Sequence, residues 1–119
     1  MKKVGELNNI IIKELNITLS SNEVFQSKGL FSHVKKRHPS CTKYVHLIPL
    51  IVANPDYIGV NPNEQSTSFE MIKTFDKNIQ IGIKVDKKDN YLYIATLHEI
   101  TPQKIKHRLA SGRLKIVNK

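Results

Sequence analysis

The sequence predicts an α+β fold, with N-terminal helices packed on one side of a roughly four-stranded antiparallel sheet and a short C-terminal helix. Three observations carry this. Apolar residues recur at helical spacing through the first half, as in Leu30–Val34 and Tyr44–Val52. From Tyr57 the pattern changes to alternation, cleanest where Ile79, Ile81, Ile83 and Val85 share one face. Thr101-Pro102 then opens a last helix, with Thr as N-cap and Pro at the first helical position. Helices followed by a meander of strands is the α+β pattern. The 119 residues, 39% of them hydrophobic, suit one compact domain, 1–119.

The elements follow in order. Val4–Leu7 reads as a short strand. Asn8–Leu15 is a short helix with Asn8 as N-cap, or a strand, because a short apolar run does not settle the period. Ile17–Leu19 is extended, and Asn22–Gln26 is an irregular lead-in. Ser27 is an N-cap for a helix to about Arg37, with Leu30, Phe31 and Val34 facing inward. Pro39 ends that helix and moves His38 out of the α region. Ser40 caps a second helix to about Ala53, which Pro49 distorts unless the segment divides.

Tyr57–Val60, Ser68–Thr74, Asn78–Val85 and Tyr91–Leu97 are the four strands. Residues 61–66 form a polar loop, and Asp86–Asn90 has hairpin-turn chemistry. Strict alternation puts Tyr91, Tyr93, Ala95 and Leu97 on one face, with Leu92, Ile94 and Thr96 on the other. The last helix runs to about Ala110, Gly112 is its C′ residue, and a basic tail follows.

Charge is unevenly distributed. The net charge is +9, yet no acid occurs from Val24 to Pro55 or after Glu99. These two segments carry the excess positive charge, and together they would form a face suited to a polyanion. The competing reading is a solvated surface on a basic protein. Lys2 and Lys3 lead into polar residues, so a signal peptide is not expected. The apolar patch Leu47–Ala53, broken by Pro49, is too short to span a bilayer. The lone Cys41 fits a cytoplasmic setting.

Ser27–Pro39 gathers His33 and His38 with Lys35, Lys36 and Arg37. Imidazoles move protons near neutral pH, and clustered cations hold a phosphate. That is the chemistry of metal-free RNA cleavage. His33, His38, Cys41 and His46 also invite a zinc reading, but their spacing matches no finger or ribbon pattern, and no metal or cofactor is expected.

The segments SKGLFSHVKKRHP, NPDYIGVNPNE, DNYLYIATLHEI and KIKHRLASGRLK, in this order, resemble the phage- and mobile-element-associated branch of the barnase–EndoU–colicin–RelE-like (BECR) nucleases. The resemblance is strongest over residues 24–114. It implies helices against a four-stranded antiparallel sheet and a metal-independent endoribonuclease, producing 2′,3′-cyclic phosphates. It places His33, Arg37 and His38 on the histidine-bearing helix, Tyr93 and Thr96 on the tyrosine-and-threonine strand, and Ser111 and Arg113 in a terminal Ser-Gly-Arg.

The expected catalytic set is therefore His38, His33, Arg37 and Tyr93. Lys36, Lys84, Thr96, Arg108, Ser111 and Arg113 are the expected substrate-binding residues. RNA is the expected partner, with a protein inhibitor or antitoxin as a further one, and no membrane. Against these stand plainer roles: a carbonyl-bonded helix-end imidazole for His38, core packing for Tyr93, and solvated surface for Lys84 and the arginines. A non-catalytic nucleic-acid-binding or regulatory protein of a phage or mobile element is the alternative function.

Overall fold

The computed structural model describes residues 1–63 and 68–119, so residues 64–66 of the expected loop lie outside the described residues. The chain begins with β1 (Lys2–Glu6), α1 (Asn9–Leu15), β2 (Glu23–Gln26) and α2 (Leu30–Arg37). A 3-10 segment (Pro39–Leu47) leads into α3 (Ile48–Ala53). There follow β3 (Tyr57–Val60), β4 (Ser68–Thr74), β5 (Asn78–Asp86), β6 (Tyr91–Glu99), α4 (Pro102–Ala110) and β7 (Leu114–Ile116).

Local chemistry sets several of these boundaries. The Asn8 side chain accepts the Ile11 N–H and starts α1, which settles that segment as a helix. Thr101 caps α4 in the same way through the Lys104 N–H, and Gly112 takes the positive φ that ends it. Pro39 and Pro49 divide 39–53 into the 3-10 segment and α3, because neither can donate within a continuous helix.

Other expectations are corrected. Helix α2 starts at Leu30 behind Gly29, and Ser27 provides its carbonyl rather than a side-chain cap. Ser40 caps nothing; His38 precedes the 3-10 segment. Phe31 is 48% exposed, so Leu30 and Val34 alone form the buried stripe of α2. The lead-in 22–26 contains strand β2, and the basic tail contains strand β7.

The sheet has seven strands rather than four, in the order β1-β2-β6-β5-β4-β3-β7. It is mixed, because β2 runs parallel to β6, with Val24 opposite Leu92 and Phe25 opposite Tyr93. The other pairings are antiparallel. The short strand expected at Val4–Leu7 is present as β1, Lys2–Glu6, whereas β2 and β7, four and three residues long, are too short to show a period.

One face of the sheet carries the main core. Phe69, Met71, Ile79, Ile81, Ile83, Leu92, Ile94 and Leu97 pack there with Leu30, Val34, Tyr44, Ile48 and Ile51. Ile79, Ile81 and Ile83 are each fully buried, and each such burial stabilises by about 1.5–3 kcal/mol. Among the described residues the opposite face is covered toward β3, β4 and β7, where Ile105 of α4 packs with Ile72, Ile100 and Leu114. Over β5 and β6 this second face carries polar side chains. No helix among the described residues is long and apolar enough to cross a membrane.

Candidate active site on the second sheet face

Strand register brings the polar groups of this face together. Gln80, Gly82 and Lys84 of β5 lie opposite Ile72, Glu70 and Ser68 on β4. On the other side they lie opposite His98, Thr96 and Tyr93 of β6. Directly opposed residues share a face.

This overturns the strict alternation expected for β6. The register shifts between Gly82 and Ile83, whose partners are Thr96 and Ile94, so Ala95 is an extra residue in a β-bulge. The bulge changes parity. Tyr91, Tyr93, Thr96 and His98 face the second side, while Leu92, Ile94 and Leu97 face the core. Tyr93 and Thr96 can therefore serve one surface. Gly82 accommodates the arrangement: a Cβ there would lie 2.8 Å from Thr96 Oγ1.

Helix α2 follows β2 and packs against β6. His33, though exposed, lines a cleft of about 410 Å³ with Lys84, Tyr91 and Tyr93. His38 closes α2 with φ −140°, ψ 65°, its N–H donating to the Val34 carbonyl and its own carbonyl accepting the Cys41 N–H. With the backbone so fixed, the His38 ring stands against that of His98, centroids 5.5 Å apart. Burial, then the charges of His98, His33 and Arg37, hold the His38 pKa below the ordinary histidine value. The His98 ring is itself oriented by a 3.0 Å hydrogen bond between Nδ1 and the Glu99 carbonyl. Lys36 and Arg37 are exposed on α2, and Arg37 reaches the site through its charge on His38.

The arginines occupy the other side of the face. Glu70 is 3% exposed and accepts from Arg113 Nε at 2.9 Å, Arg113 Nη2 at 3.1 Å and Arg108 Nη1 at 3.2 Å. Gln80 donates to Glu70 and accepts from Arg108 Nη1 at 2.8 Å. Arg108 and Arg113 thus hold a buried carboxylate, and one guanidinium charge of the two is neutralised. Ser111 turns the chain between them, donating to the Arg108 carbonyl and accepting the Arg113 N–H. Gln80, which bonds Arg108, also opposes His98 on the adjacent strand, so the arginine cluster and the histidine pair adjoin on one face.

Glu70, Gln80 and His98 escape the sequence reading. The signal for Glu70 is a lone acid between Phe69 and Met71, where a buried strand carboxylate requires cationic partners. The zinc set does not form: among the described residues no three His, Cys, Asp or Glu are grouped for a metal. Cys41 is buried, and His46 is exposed.

The family model that matches is the phage-Barnase-EndoU-ColicinE5/D-RelE like nuclease 3 family, over residues 2–107, and the chain belongs to that family. The match includes the N-terminal strand and helix and stops before Arg108, Ser111 and Arg113. No curated protein and no solved structure matches the chain.

Proposed function

We propose that this chain is a metal-independent endoribonuclease acting by transesterification. The carrying observation is the pairing of His38, biased toward its neutral form, with His98 at 5.5 Å. Neutral His38 takes the proton from the ribose 2′-hydroxyl, whose oxygen bonds to phosphorus. The bond from phosphorus to the 5′-oxygen breaks, and protonated His98 gives that oxygen its proton. The products are a 2′,3′-cyclic phosphate and a 5′-hydroxyl. The His98 charge is among the causes that lower the His38 proton affinity, which supports His38 as the base and leaves His98 the role of acid. Tyr93, Lys84, Thr96 and His33 line the path of the bound strand. Arg37 and Lys36 add positive charge at its rim, and Arg108, Ser111 and Arg113 border it on the α4 side. The buried, unpaired Cys41 fits a reducing cytoplasm, and such an activity calls for a protein inhibitor in its own cell.

The test is RNA cleavage in EDTA, with the new ends identified by mass spectrometry. Wild type is expected to leave cyclic phosphates, and His38→Ala and His98→Ala to lose about 100-fold or more. Arg37→Ala is expected to weaken cleavage less. Equal cleavage by all four, or none of any RNA by wild type, rejects the reading.

One observation favours the alternative of a non-catalytic nucleic-acid-binding protein of a phage or mobile element. Glu70 engages both arginines, which otherwise would clamp a phosphate. RNA binding without cyclic-phosphate ends would select it.

A further inference from the structure

Three aromatic rings stand at the β2–β6 end of the second face, away from the main core. Tyr91 and Tyr93 are two residues apart on β6, with ring centroids 6.0 Å apart and planes at 53°. Phe25 of β2, paired with Tyr93, meets Tyr91 edge-on at 6.1 Å and 90°. All three are half-buried, although their strand neighbours Val24, Leu92 and Ile94 are fully packed on the other side. Tyr91 and Tyr93 border the cleft of about 410 Å³ that also contains His33 and Lys84, with Phe25 behind Tyr91, and the volume is within the roughly 300–1,000 Å³ usual for small-ligand sites. The nearby Asp86 carboxylate accepts the Lys88 and Asp89 N–H groups of the turn and also the Tyr91 hydroxyl, and burial followed by this bond holds the Tyr91 pKa above its ordinary value.

From this geometry we infer that Tyr91, Tyr93 and Phe25 form a stacking shelf for an unpaired nucleobase, so that the ligand is single-stranded RNA rather than duplex. The inference rests on the ribonuclease reading for its choice of RNA, and it names the form of RNA that site takes. A π-face matches a base of any identity, which makes the shelf tolerant of sequence. In a duplex the same base face is covered by its neighbours, so a paired strand cannot use the shelf. Phe25 braces Tyr91 from the side, which fixes the ring before a ligand arrives and reduces the ordering entropy of binding. Lys84 and His33 sit where the phosphate attached to a shelved base would pass. Tyr91 is the informative residue, because it lies on the shelf and outside the proposed proton-transfer pair.

The experiment is fluorescence anisotropy with a labelled single-stranded oligoribonucleotide in EDTA, in the His38→Ala background so that the probe survives. A duplex of the same strand and an oligonucleotide with one abasic position serve as competitors. Tyr91→Ala is expected to weaken single-strand binding about tenfold or more. Tyr91→Phe is expected to retain it, and duplex binding should not change. The abasic oligonucleotide should bind the unaltered shelf more weakly than the intact one, a comparison independent of any shelf variant's folding. The inference is overturned if Tyr91→Ala and Tyr91→Phe behave alike, if single strand and duplex weaken equally, or if the abasic oligonucleotide binds as well as the intact one. The two readings fail separately. Cleavage by wild type with no Tyr91 effect removes the shelf alone, and a Tyr91 effect without any cleavage removes the ribonuclease alone.

Discussion

His38 and His98 face one another with ring centroids 5.5 Å apart, one from the end of α2 and one from β6. Their proximity predicts a measurable titration. The His38 pKa should fall below 6.5, chiefly through burial and next through the His98 charge. In an NMR titration of the ring proton, His98→Gln should raise the midpoint without restoring it fully, because burial remains. A wild-type midpoint at or above 6.5 would contradict the geometry.

The same depression links pH to stability. Folded His38 binds its proton more weakly than the unfolded chain does. Its stabilising contribution is complete above about 6.5 and is lost as pH falls from there through the folded value. Urea midpoints at pH 7.5 and 5.5 should therefore differ more in wild type than in His38→Gln. His38 is only part-buried, so the effect is modest. An equal difference in both proteins would place the pH dependence elsewhere.

Gly82 and Thr96 should be energetically coupled. An alanine at 82 drives its Cβ to within 2.8 Å of Thr96 Oγ1, and relieving that overlap costs about 1–3 kcal/mol. In a Thr96→Ser background the hydroxyl can turn away more freely, and in Thr96→Ala it is gone. Gly82→Ala should then be least harmful with Thr96→Ala. A double-mutant cycle by urea unfolding measures this, and a coupling under about 0.5 kcal/mol would show no contact.

Glu70 is expected to be the stability-determining charge. Its side chain is 4% exposed, against 19% for Arg108 and 27% for Arg113. Glu70→Ala leaves two guanidiniums facing each other and should destabilise by about 3 kcal/mol. Arg113→Met retains the Arg108 bond and should cost less. Equal losses in the two variants would mean that Arg108 contributes nothing to holding the carboxylate.

Gly59 should tolerate no side chain. A Cβ there would run into the Arg113 carbonyl, which is backbone and cannot rotate away. Gly59→Ala is expected to break the pairing of β3 with β7. Loss of amide-exchange protection at Leu114–Ile116 would report it, and unchanged protection would refute it.

How far the sequence could be read depended on the range of the signal. Asn8, Thr101 and Gly112 act within one turn of chain, and the alternation of β5 needs only its own residues. These local features carry the α+β fold and place His38 outside the helix. The bulge at Ala95 does not show in β6 itself, because it exists only relative to β5. The parallel pairing of β2 with β6 depends on a partner 68 residues away, as Val24 and Leu92 show. Arg108 and Arg113 look like surface cations until Glu70, some forty positions earlier, is found beneath them. Charge counts locate cations but do not reveal which are already neutralised.

The position of β2 and α2 beside β6 also bears on biosynthesis. His38 leaves the ribosome sixty residues before His98, and the shelf needs Phe25 together with Tyr91. No nascent chain shorter than residue 98 can contain the histidine pair, however well its helices have formed. Non-local pairings of this kind are also slow to close. On the ribonuclease reading proposed above, the chain would be chemically silent through most of its own translation, and truncated products would inherit that silence.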